Sequence, residues 1–212
     1  MTVAERFLTH HVDNQVPALD ALDLYRTDTH CIDIGCHIGS FLQKITTIAP
    51  KGRHFAVEPV PQKAARLREK FPSVTVLEVA LGETHGTAEF FINQSQTSYS
   101  GLKKRAVPGA LQAVQVQCRR LDEVIPADAH IGFMKIDVNG AESMVLRGAL
   151  ELLRRDRPAV LLECTQGGLD DYGVSSDDVY DFLVGTTAKL KAWNGYCMLL
   201  RKRAASSSGP SG

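Results

Sequence analysis

The chain has 212 residues, 44% of them hydrophobic and 23% charged, which is enough for one globular domain with a sizeable buried core. Its 24 Lys and Arg balance 24 Asp and Glu; with no basic surplus, nucleic acid is disfavoured as the main partner, because phosphate neutralisation supplies much of such affinity. The five cysteines are odd in number and show no C-x-x-C spacing, which argues against a disulfide framework or a zinc site and for a reduced, cytoplasmic setting with the cysteines as small packing groups.

Met1 to Val12 lacks the apolar core of a signal peptide, and residues 1–28 are expected to form an N-terminal helical segment ahead of a single domain over 29–203. No apolar run approaches the roughly 20 residues that a bilayer crossing needs, so no membrane contact is expected. Thr29–Ile34 reads as a buried strand, Ser40–Ile48 as a helix, Arg53–Val57 as a second strand closed by Glu58-Pro59, and Pro61–Phe71 as a helix with Pro at its start. Val74–Val79 is a third strand. Gly86–Ile92 and Val114–Cys118 are further strands, joined through the polar, Gly- and Pro-containing stretch Asn93–Gly109, which reads as a mobile loop. Ile131–Ile136 is a strong strand, and Glu142–Arg155 a single helix with Val145, Ala149, Leu152 and Leu153 on one face. Pro158–Leu162 is a buried strand. Ser175–Val184 is a helix whose Ser175 and Asp178 resemble a capping box. Lys189–Trp193 and Tyr196–Leu200 flank Asn194-Gly195, a strong hairpin signal. Ala204–Gly212 contains only Ala, Ser, Gly and Pro and is set outside the fold. The alternation of strand and helix signals predicts an α/β fold on a mostly parallel sheet, with an antiparallel C-terminal hairpin at its edge and helices on both faces.

Three segments carry chemistry. Asp33-Ile-Gly35 runs on to Gly39 between a strand and a helix, where open α/β sheets bind ligands. The dinucleotide fingerprint G-x-G-x-x-G fails here, since His37 and Ser40 would replace its second and third glycines. The observed D-x-G-x-x-x-G suits a ligand without a phosphate, and S-adenosylmethionine fits; a tight turn with no ligand is the alternative reading. Glu58 ends the second strand, where an acid can accept both ribose hydroxyl hydrogen bonds. In Met134–Glu142, alternation puts Lys135 and Asp137 on one side of a strand end. Asp137 and Glu142 sit where a base or a sulfonium-facing group would stand; for Glu142, complementing the helix dipole is an equal reading.

Taken in order, Asp33-Ile-Gly35 with Ile38-Gly39, Glu58-Pro59 with Pro61, Ala80-Leu81-Gly82, Leu121-Asp122-Glu123, Lys135-Ile-Asp-Val with Gly140-Ala-Glu142, Val145 to Ala149, and Arg157-Pro158 with Leu162-Glu163 resemble the FkbM-type family of S-adenosylmethionine-dependent methyltransferases, which have the class I, Rossmann-like fold. The resemblance covers about Cys31 to Tyr196. It implies S-adenosylmethionine as methyl donor and a hydroxyl oxygen of a small molecule as acceptor. Asp33, Gly35 and Gly39 would then frame the methionine end, Glu58 with Pro59 the ribose, and Val79 and Ala80 the adenine, with Asp137 near the methyl donor. Ser98 and Ser100 would lie in a loop able to close over the site. The base candidates are Asp137, then Glu142, then His37, which would titrate near neutrality if it is more than a polar turn residue. Asp137 and Glu163 are expected at the ends of neighbouring strands, but no third oxygen ligand stands out and no metal is expected. The chain departs from the family at Cys36-His37, where Ala-Asn is common, and at Asn139, where an acid is common; a neutral amide cannot act as a base. Family members often carry more sequence. The resemblance then implies an expectation that part of the acceptor pocket is absent or supplied by a partner subunit in a homo-oligomer. The competing readings are a non-catalytic cofactor-binding scaffold and a nicotinamide-dependent oxidoreductase.

Overall fold

The computed structural model describes residues 27–163, 166–186, 189–193 and 196–200. Of the expected N-terminal segment only residues 27 and 28 fall among these, and Asn194-Gly195 and the 204–212 tail lie outside them.

The apolar runs become ten strands among the described residues: β1 (His30–Ile34), β2 (Phe55–Val57), β3 (Thr75–Leu77), β4 (Ala80–Leu81), β5 (Gly86–Asn93), β6 (Leu111–Arg119), β7 (Ile131–Ile136), β8 (Ala159–Glu163), β9 (Lys189–Trp193) and β10 (Tyr196–Leu200). Seven of them form one sheet in the order β3-β2-β1-β7-β8-β10-β9. The pairs from β3 through β8 are all parallel. β10 runs antiparallel to both β8 and β9, so the hairpin strands close this side of the sheet as expected. The order reverses between β1 and β7, and such a switch point opens a crevice beyond the carboxyl ends of the strands.

Period-two alternation divides the core. Ile32, Ile34, Val57, Met134, Ile136, Val160 and Leu162 face one way, onto α3 (Leu121–Val124), α4 (Glu142–Arg147), α5 (Leu150–Asp156), α6 (Gln166–Asp170) and α7 (Ser176–Thr186). Cys31, Ala56, Phe133 and Leu161 face the other way, onto α1 (Ser40–Ile48) and α2 (Pro61–Lys70), which bury Phe41, Leu42, Ile45 and Leu67 there. Helices thus cover both faces, and none among the described residues is long and apolar enough to cross a membrane.

The single helix expected over Glu142–Arg155 is two helices. A Cβ on Gly148 would lie 2.1 Å from the Gly82 carbonyl oxygen, and the Gly148 carbonyl accepts from the Asp122 N–H at 3.1 Å. That carbonyl has left the helical ladder, and the Asp122 carboxylate starts a new helix by accepting from the Glu151 and Leu152 N–H groups at 3.2 and 2.9 Å. The capping box does form: Ser175 N–H donates to Asp178 at 2.9 Å and Asp178 N–H to the Ser175 hydroxyl at 3.1 Å. β4, β6 and β5 do not extend the main sheet but make a three-stranded sheet of their own. The stretch after β5, read as a mobile loop, contains a 3₁₀ turn over Thr97–Tyr99 and a backbone bridge between Phe91 and Gly101.

Candidate active site

A cleft of about 770 Å³ opens over the carboxyl ends of the strands around the β1–β7 reversal. Its floor depends on Gly35, at φ +76°: a Cβ there would stand 1.9 Å from the carbonyl oxygen of Asp137 on the neighbouring strand tip. Only glycine lets the two tips approach this closely. Register places Asp33 opposite Lys135, and from there a row of charge crosses the floor. Lys135 Nζ lies 3.5 Å from Asp33 Oδ1 and 3.0 Å from Asp137 Oδ2. It also stands 5.5 Å over the Phe41 ring. Glu163, one strand further on, hydrogen-bonds Asp137.

This row fixes its own protonation. Burial works against the Lys135 ammonium, but Asp137 and Asp33 outweigh it and raise its pKa. Burial likewise works against an ionised Asp137, yet Lys135 and the hydrogen bond from Glu163 hold it below the usual carboxylate range. Glu163 yields: burial, then the Asp137 charge beside it, push it up to about 8. At neutral pH Glu163 is therefore the protonated partner and Asp137 the anion. Because folding raises Glu163 from 4.5 to about 8, the folded protein holds that proton more tightly than the unfolded chain. The resulting stabilisation is complete below about 4.5 and is lost as the pH climbs through about 8. Glu163→Gln keeps a donor for Asp137 but cannot titrate. Melting temperatures of wild type should fall relative to those of the variant across this window, and parallel curves would remove Glu163 as the titrating group.

Glu58 closes β2 and forms one wall of the cleft. Its carboxylate accepts the His37 N–H at 3.1 Å and the Val60 N–H at 3.0 Å, which fixes the acid without using up its lone pairs. Val79, Ala80 and Leu81 supply an apolar strip beside it. His37 departs from the expectation of titration near neutrality. Burial and the nearby Lys63 charge pull it down to about 4, so the imidazole is neutral and poorly suited as a base. Its Nε2 lies 2.8 Å from the Thr97 hydroxyl.

Of the residues read from the sequence, Gly35, His37, Glu58, Pro59, Val79, Ala80, Ser98, Ser100, Asp137 and Glu142 all border this one cleft. Asp33 and Gly39 do not reach it. Asp33 is 0% exposed behind Lys135, and Gly39 turns towards the Leu67 and Phe71 side chains, where its smallness lets α1 pack on α2. Glu142 is also buried. One of its oxygens accepts from the Val138 and Gly140 N–H groups at 3.1 Å each, so it shapes the turn after β7. Ser100 is buried with its hydroxyl donating to the Thr97 carbonyl at 2.9 Å. Lys135 and Glu163 were not placed among the site residues by sequence; strand alternation with Asp137 was the available signal for Lys135, and strand adjacency for Glu163. Lys63, Thr97, Tyr99 and Arg105 also line the cleft, and no motif marked them. Among the described residues no group of acids, His and Cys is arranged to hold a metal ion.

The family model described as "Methyltransferase FkbM domain" matches residues 33–193. Among curated proteins, the chain is similar to 2-O-methyltransferase NoeI of Sinorhizobium fredii (strain NBRC 101917 / NGR234), with 28% identity over 155 residues that make up 63% of each protein. Among solved structures it is similar to a methyltransferase FkbM from Methylobacillus flagellatus KT, at 16% identity and a TM-score of 0.58, over 82% of this chain and 44% of that one. It is also similar to a SAM-dependent methyltransferase from Aquifex aeolicus, at 15% identity and a TM-score of 0.50, over 93% and 96% of the two chains. These structural likenesses show a shared fold. The matched region spans less than two thirds of the curated relative and under half of the Methylobacillus structure.

Proposed function

This chain belongs to the FkbM methyltransferase domain family, and from that premise we propose that it transfers a methyl group from S-adenosylmethionine to a hydroxyl oxygen of a small molecule. The observation that carries this reading is Glu58: an acid at the end of β2, on the cleft wall, locked by two backbone N–H groups. Each of its oxygens retains acceptor capacity for a ribose hydroxyl. The Val79–Leu81 strip suits an adenine face and the Gly35 turn the amino-acid end, with the Asp137 carboxylate beside the methyl-bearing sulfur. The donor set thus fits the nucleoside without calling for a phosphate site. The name of the curated relative, a 2-O-methyltransferase, supports oxygen as the acceptor atom.

S-adenosylmethionine supplies, when bound, a methyl group on an already positive sulfur. What remains for the protein is to orient the two reactants, exclude water and remove the hydroxyl proton. The cleft, roofed by residues 97–100, provides the enclosure. The proton passes to the Asp137–Glu163 pair, whose proton-accepting capacity grows as Glu163 ionises near 8. Turnover should therefore rise with pH through that value. Asp137→Asn leaves Lys135 paired with Asp33, so the fold should survive. Turnover should drop by about a hundredfold or more, as loss of a general base does, with a much smaller change in donor affinity. Equal rates would take Asp137 out of the mechanism.

The reading as a whole is tested by calorimetric titration with S-adenosylhomocysteine, then by screening hydroxylated metabolites as acceptors. Saturable heat with S-adenosylhomocysteine and none with NADH is expected. The reverse would restore the nicotinamide reading, and binding without transfer to any acceptor would favour a non-catalytic scaffold.

A further inference from the structure

The segment Thr97–Ser100 crosses above the cleft and is tied on both sides. On the β1–β2 side, His37 Nε2 meets the Thr97 hydroxyl at 2.8 Å, and Lys63 Nζ donates to the Thr97 carbonyl at 3.2 Å. On the β7 side, among the described residues, the hydrogen bonds to this segment come from one side chain, beside the Arg105 guanidinium 5.6 Å over the Tyr99 ring. Asn139, in the left-handed region at φ 57°, donates from its amide nitrogen to the Ser98 carbonyl at 2.7 Å and to the Ser100 carbonyl at 3.1 Å. Its amide oxygen accepts from Arg105 at 2.9 Å, and Arg105 in turn lies 3.5 Å from Asp171. All three polar contacts of this side chain go to the crossing segment and its continuation.

We propose that Asn139 is the positioning residue that latches this strap over the cleft, so that the donor can be exchanged only when the latch opens. The gating half of the proposal rests on the donor-site reading above; the latch itself does not. The chemistry explains why an amide stands where an acid would forfeit the bonds. A carboxylate could still accept from Arg105, but it would set an oxygen against the two carbonyl oxygens of Ser98 and Ser100, with no proton between them. Asn139→Asp is thus a change of one atom that keeps the Arg105 contact and the tolerance for positive φ while removing both strap bonds.

Asn139→Asp and Asn139→Gly, the second being uncharged and equally tolerant of positive φ, test this in the ligand-free protein. Hydrogen exchange is read at the Gly101 N–H, which donates to the Phe91 carbonyl at 3.1 Å, and at the Tyr99 N–H, which donates to the Gln96 carbonyl at 2.9 Å. Trypsin cleavage at Lys103, Lys104 and Arg105 gives a second measure. Both variants should exchange and cleave faster by on the order of tenfold, the size expected for about 1.4 kcal/mol of lost hydrogen bonding, with thermal melts confirming the fold. Wild-type protection in both variants would overturn the latch. S-adenosylhomocysteine dissociation, followed by stopped flow, should quicken by a similar factor in Asn139→Asp. An unchanged dissociation rate beside increased exchange would overturn the gating. Failure of wild type to bind S-adenosylhomocysteine would instead overturn the donor-site reading and with it the gating, while the exchange experiment still decides the latch.

Discussion

Glu58→Gln is expected to weaken S-adenosylhomocysteine binding by on the order of tenfold to a hundredfold, the equivalent of losing one or two charge-assisted hydrogen bonds. Glutamine is the informative choice because of what else Glu58 does. The side chain is 4% exposed and accepts from His37 and Val60. Alanine would strand both N–H groups in a buried site at about 1–3 kcal/mol each, and weakened binding would then report a damaged wall. Glutamine keeps the shape and one acceptor oxygen but turns its amide nitrogen towards one of the two N–H groups, so the stability loss should be about 1–3 kcal/mol, half that of alanine. Calorimetry and thermal melts on the same samples separate the two effects. Wild-type affinity in a folded Glu58→Gln protein would take this residue out of the ribose contact.

The second large effect concerns stability. Lys135→Met should cost about 3–5 kcal/mol, the usual penalty for removing one partner of a buried ion pair. Asp33 has no exposed surface, and neither of its oxygens has a well-formed hydrogen bond. Its pKa is raised by burial, with Lys135 the main opposing influence. Without the ammonium, Asp33 and Asp137 would face each other across the floor uncompensated. Urea denaturation should show a large fall in midpoint, partly restored by adding Asp33→Asn. A Lys135→Met protein as stable as wild type would mean that the charge row contributes nothing to the fold.

Local pattern carried most of the architecture. The strands declare themselves by apolar runs and the last described helix by its Ser175–Asp178 box, because both signals are short-range. Local pattern is silent where distant contacts decide. The break after Arg147 follows from the close approach of Gly148 to the Gly82 carbonyl, which no helical periodicity reveals. Asp33 lies at the right end of β1, yet it serves Lys135 rather than the cleft wall. The strap reads as an ordinary polar loop because the bonds that tie it reach 60 positions back to His37 and 41 and 39 positions on to Asn139. Asn139 itself, which in sequence looks like a lost acid, is in the fold a donor that an acid could not replace.

The most direct test is the crystal structure of the protein with S-adenosylhomocysteine. In that complex the ribose hydroxyls should lie on the Glu58 carboxylate, the adenine along Val79 and Ala80, and the sulfur beside the Gly35 turn and Asp137, beneath residues 97–100. A nucleoside bound elsewhere, or one lying in the cleft with no contact between its ribose and Glu58, would contradict this placement.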